Sequence, residues 1–188
     1  MRIETYISKE ERANRLANIP NLRKRADDGD VPAQIELAWE LAEGRIIDAD
    51  FVSAASYFER AAQSGDETAV LNQAVFLHLR RVPAGTRTIR AFAIRNNALA
   101  QFWLGRHYQR SWGHINQLRA AAWYKRSSTN GSIAGQFAFF GQQLRLAPLC
   151  VRPLLFAKAV VRLVFLASRA GPQIEREGVW SMRQLKHR

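Results

Sequence analysis

Ala26-Asp27-Asp28-Gly29-Asp30 returns 36 residues later as Ala62-Gln63-Ser64-Gly65-Asp66, and in both copies an alanine, Ala33 or Ala69, follows the aspartate by three positions. A second correspondence spans two units. Ala54-Ala55-Ser56-Tyr57-Phe58-Glu59-Arg60-Ala61-Ala62-Gln63-Ser64-Gly65 aligns with Ala120-Ala121-Ala122-Trp123-Tyr124-Lys125-Arg126-Ser127-Ser128-Thr129-Asn130-Gly131 at an offset of 66. Internal periods of this size are the mark of stacked repeat architectures.

Between the glycines each unit reads as two helices and a turn. Ala33, Leu37, Ala38 and Leu41 fall at i, i+4, i+5 and i+8, one face of a 3.6-residue helix, and Gly44 ends it. A second helix runs from Asp50 or Phe51 to about Gln63, with Asp50 suited to capping its start and Gly65 just past its end. The unit is an αα-hairpin. Ala33, Ala38, Ala54 and Ala61 let the two backbones approach, and Tyr57-Phe58 fill the groove against the next hairpin. A lone hairpin leaves an apolar face wet, so about three are needed for a stable stack.

The best copy of the unit is Ala100-Gln101-Phe102-Trp103-Leu104-Gly105-Arg106-His107-Tyr108, then Gly113, then Ala120-Ala121-Ala122-Trp123-Tyr124-Lys125 and Gly131. This pattern resembles the Sel1-like repeat, a branch of the tetratricopeptide-like solenoids, over roughly residues 22–145. First helices align at Ala33, Ala69, Ala100 and Gly135, with Gln34, Gln101 and Gln136 next to three of them. The second unit departs: it is 31 residues long, places Val82-Pro83-Ala84-Gly85-Thr86 in its loop, and has Thr88-Ile89 at the aromatic pair. The fourth is a bare first helix, 135–145. The resemblance implies an all-α, short right-handed αα-hairpin solenoid, and proteins that act as adaptors through a concave helical surface without prescribing a ligand.

Charge is unevenly distributed along the 188 residues. Positions 1–67 hold 9 Lys/Arg against 14 Asp/Glu, whereas positions 68–173 hold 15 Lys/Arg and no carboxylate, within a total of +12. So basic a half attracts anionic surfaces, whether an acidic protein, lipid headgroups or nucleic acid; a face kept only for solubility is the plainer alternative. Arg106 and Arg110 share an i, i+4 face and, with Arg90, Arg95 and Arg119, are the candidate partner-binding residues. The tryptophans interleaved with them resemble a base-stacking platform, but Trp123 and Tyr124 occupy the repeat's own packing positions, so nucleic acid ranks second.

The chemistry of catalysis is missing from the sequence. There is no Gly-rich phosphate loop, His-Glu-x-x-His or paired-cysteine box. His78, His107 and His114 all lie in the acid-free span, away from the carboxylate that orients a general-base histidine. A non-enzymatic protein is expected, with no cofactor, metal or small-molecule substrate. The single Cys150 and a charged start at Met1-Arg2-Ile3-Glu4 favour a reducing, cytoplasmic setting with no export signal.

After the repeats, Pro153 opens an apolar helix over 154–169. Its 16 residues fall short of the roughly 20 needed to span a bilayer. Lys158, Arg162 and Arg169 form a cationic stripe beside apolar residues including Phe165. Two readings stay open: a cap over the last hairpin, or a docking helix for an anionic membrane or a partner, which would make the protein peripheral to a membrane. The expected organisation is a helical cap over 1–21, repeats over 22–145, the apolar basic helix over 146–171 and a polar tail over 172–188.

Overall fold

The computed structural model describes residues 8–148, 151–154, 156, 157 and 161. Eight helices occur among them: α1 (Lys9–Asp27), α2 (Val31–Glu43), α3 (Phe51–Gln63), α4 (Glu67–Leu79), α5 (Pro83–Ile94), α6 (Ala98–Arg110), α7 (His114–Thr129) and α8 (Ile133–Leu146). No described residue is in a strand. Consecutive helices pair as repeats, giving an all-α repeat solenoid. The chain divides within α5 into two compact units, Thr5–Thr88 and Ile89 onward.

The corners between repeats are built alike. Gly29, Gly65, Asn96 and Gly131 each take a positive φ, and each is followed by a polar residue, Asp30, Asp66, Asn97 or Ser132. That residue caps the next helix, accepting the backbone N–H of Ala33, Ala69, Ala100 or Gly135 on its side-chain oxygen. At three corners the chain closes in a Schellman turn, with the N–H of Asp30, Asn97 and Ser132 donating to the carbonyls of Arg25, Phe92 and Ser127. Asn96 stands where glycine is otherwise found, because asparagine tolerates the left-handed region better than most side chains.

In the Thr5–Thr88 unit the expected apolar face of α2 is buried, Ala33, Leu37, Ala38 and Leu41 together. Phe58 of α3 is 0% exposed. Its ring meets Trp39 edge-on at 5.0 Å and lies 4.9 Å from Phe76 of α4. Tyr57 does not join it in the groove; its hydroxyl donates to Asp27 at the end of α1 over 2.8 Å, while Arg60 donates to the last carbonyls of that helix. The α1 helix buries only Leu22 and Ala26, and Arg15 pairs with Glu40 of α2.

The loop expected at Val82-Pro83-Ala84-Gly85-Thr86 is instead the start of a helix. Pro83 occupies the first position of α5, where its missing N–H costs nothing. Gly85 lies so close to α4 that a Cβ there would fall on the Ala74 carbonyl oxygen and within 2.5 Å of the His78 backbone nitrogen. A glycine that looked like a breaker is the contact point of two helices.

The unit from Ile89 onward is centred on Tyr124 and Phe102, both buried, with ring centroids 5.9 Å apart. Gly105 makes room for the Tyr124 ring: an added Cβ would lie 2.6 Å from two of its carbons. Ile89 is buried at the position held by Phe58 and Tyr124 in the flanking repeats.

Candidate partner-binding surface

The polar interior of the Ile89-onward unit is built from amides. Gln101 is fully buried; its Nε2 donates to the Ala93 carbonyl over 3.1 Å, and its Oε1 accepts from Asn130 over 2.8 Å. Gln34 makes the equivalent bond to the Ala26 carbonyl in the other unit. Gln34 and Gln101 therefore each tie a first helix to the end of the helix before it. A second network joins three helices: Tyr124 donates to Gln109 (3.0 Å), Gln109 to Gln142 (3.0 Å), and Gln142 to both the carbonyl and the side chain of Gln117 (3.2 and 2.9 Å). Burial pushes the Tyr124 hydroxyl well above its ordinary pKa, against the opposing charges of Arg106, Arg145 and Arg110, and keeps it a neutral donor.

With amides satisfying the interior, the charges of this unit are displaced outward. Arg90, Arg95, Arg110 and Arg119 are exposed. Arg106 departs from the expected surface: at 9% exposure it is buried, its guanidinium 5.3 Å from the Trp103 ring and 6.0 Å from that of Phe102. Its aliphatic stem and planar head pack on aromatics, so it serves the core of α6. Arg119 lies 5.7 Å from the Tyr108 ring and Arg126 4.9 Å from Trp123. His107, half-buried, is held below its ordinary pKa first by burial and then by the charges of Arg90 and Arg110. Both effects favour its neutral form.

Lys158, Arg162, Phe165 and Arg169, the expected docking stripe, lie outside the described residues. No described helix is long and apolar enough to cross a membrane, and no three described His, Cys, Asp or Glu residues cluster to hold a metal ion. Nothing in the sequence pattern pointed to the Gln109–Gln117–Gln142 network, because three glutamines at irregular spacing have no signature until helix packing brings them together.

The repeats of the structure coincide with a family pattern. The model of the Sel1 repeat matches residues 31–66 and 98–132, which are the α2–α3 and α6–α7 hairpins with their corners. Over these two stretches the chain is similar to the Sel1 repeat. The Sel1 match passes over α4 and α5, the pair with the shortened unit and no aromatic pair. Repeats of the Sel1 family generally mediate protein–protein interaction. Among solved structures the chain is similar to c5321, a protective antigen present in uropathogenic Escherichia coli strains and displaying an SLR fold, with 21% identity and a TM-score of 0.55. That match covers 87% of this chain but only 38% of the antigen's length. A Sel1 repeat protein from Oxalobacter formigenes is also similar, at 21% identity and a TM-score of 0.42, covering 65% of this chain and 96% of that one. No curated protein matches the sequence.

Proposed function

We propose that this protein is a non-enzymatic cytoplasmic adaptor that binds an acidic partner protein through the arginines of its Ile89-onward unit, working at the inner face of a membrane. One observation carries the reading: Arg90, Arg95, Arg110 and Arg119 are exposed on a unit whose described residues include no carboxylate. No described residue of that unit is a carboxylate competing for the guanidinium groups, whose planar donors suit carboxylate oxygens. Arg90 and Arg110 bring positive charge to the surroundings of His107, which suits anion binding.

The test is capture of polyglutamate by the immobilised full chain. Retention is expected to fall steeply between about 0.1 and about 1 M salt, as the screening length shrinks from ~10 Å to ~3 Å. Reversing Arg90 and Arg119 to glutamate lowers it further. Capture that is indifferent to both changes rejects the basic surface. Displacement of polyglutamate by RNA or duplex DNA, with affinity log-linear in salt, would replace the adaptor reading with nucleic-acid binding.

A further inference from the structure

The loop between α6 and α7 carries a feature that the repeat packing does not use. Trp112 is 96% exposed, and along the first turns of α7 Ile115 is 66% and Leu118 49% exposed. The backbone beneath is fixed. Asn116 Nδ2 donates to the Trp112 carbonyl over 2.8 Å, and Arg119 reaches the Asn116 side chain at 3.5 Å while lying over Tyr108. Three apolar side chains are therefore held outward at one corner, with Arg110, His114 and Arg119 exposed beside them and no carboxylate among the unit's described residues.

The first repeat gives an internal comparison. Its α2–α3 loop buries the apolar Ile46, and α3 is capped by Asp50, so the exposed Val52 stands beside negative charge. In the third repeat the loop is short, its apolar residue points to solvent, and no side chain caps α7. The two corners share a fold position but have opposite electrostatic surroundings.

We infer that the Trp112–Ile115–Leu118 corner is an interfacial anchor for an anionic lipid bilayer. An indole exposed almost completely has no protein wall beside it and lines no groove for a peptide, whereas a bilayer interface takes up a protruding tryptophan without a preformed pocket. The flanking arginines meet anionic headgroups, and no described residue of the unit is acidic. The anchor borders the arginine surface proposed for a protein partner at Arg110 and Arg119 but adds the apolar corner, so a change at Trp112 that brings no charge tells the two apart.

The experiment is co-sedimentation of the full chain with vesicles of phosphatidylcholine alone or mixed with phosphatidylserine. The wild type partitions onto the anionic vesicles and much less onto the neutral ones. Trp112→Asp lowers that partition about ten-fold or more, as expected for removing one large apolar side chain from the interface. Trp112→Phe retains most of it, and Val52→Asp, at an equally exposed corner of the first repeat, leaves it unchanged. Polyglutamate capture, read in parallel, is unaffected by Trp112→Ser, which brings no charge beside Arg110 and Arg119. Failure of the wild type to bind anionic vesicles overturns the anchor, as does equal binding by Trp112→Asp. Loss of polyglutamate capture in Trp112→Ser without any vesicle binding also overturns it and assigns the corner to a protein.

Discussion

Phe58→Ala destabilises the Thr5–Thr88 unit by about 3–5 kcal/mol, the range for emptying a buried phenylalanine site. The ring is 0% exposed and contacts aromatic side chains of both neighbouring helices, Trp39 edge-on at 5.0 Å and Phe76 at 4.9 Å. Edge-on pairs add about 0.5–1.5 kcal/mol beyond the area they bury. Collapse around the void is opposed because α2, α3 and α4 all bear on it. Urea unfolding followed by ellipticity and by tryptophan fluorescence checks the value. Val52→Ala, at a position 82% exposed, is the reference and moves the midpoint by about 0.5 kcal/mol or less. A Phe58→Ala loss no larger than that reference would mean that the ring is not at the centre of the α2–α3–α4 packing.

The second large effect turns on its sign. Helix propensity alone makes alanine better than glycine by about 1 kcal/mol inside a helix. At Gly141 of α8 nothing lies within 4 Å of an added Cβ, so Gly141→Ala stabilises by about that amount. Gly85→Ala has the opposite outcome, a net loss of about 1–3 kcal/mol, the usual cost of overpacking. The new methyl meets the Ala74 carbonyl, the His78 backbone nitrogen at 2.5 Å and the Leu77 Cβ at 2.9 Å. Two of these are backbone atoms that no rotamer change moves aside, so α4 and the start of α5 must separate. Denaturation of the two variants in parallel decides it: a stabilising Gly85→Ala would show that the helices do not approach so closely.

The sequence made the corners legible where glycine precedes aspartate, at Gly29-Asp30 and Gly65-Asp66, because one residue fixes the turn and the next caps the helix. Asn96-Asn97 performs the same two tasks with different residues, and identity matching passes it by. The start of α5 was obscured for a related reason: proline followed by glycine is read as a turn, whereas Pro83 suits a first helical position and Gly85 is small for packing. Among the candidate residues, spacing correctly put Arg106 and Arg110 on neighbouring turns. It could not say which of them the tertiary fold would cover, and Trp103 and Phe102 cover Arg106. The Trp112 corner had no periodic signal at all, since its character comes from exposure rather than from pattern.

The side chains that cap helix starts differ in their response to acid. Asp30 is held below the ordinary carboxylate pKa first by its bond from the Arg25 side chain and then by the Ala33 N–H; Asp50 is lowered by the Ser53 hydroxyl and backbone. Their contribution is complete above the ordinary carboxylate value of about 4 and is lost as pH falls through their own lower values. Asn97 and Ser132 hold the place of Asp30 before α6 and α8 with side chains that do not titrate there. Acidification from about pH 5 to about pH 2 is therefore expected to weaken amide-exchange protection at the starts of α2 and α3, while the starts of α6 and α8 keep their caps. Equal loss of cap protection at all four sites would contradict this. The same architectural joint, written in two chemical alphabets, makes the entry into α2 proton-sensitive and leaves the entries into α6 and α8 indifferent to protons.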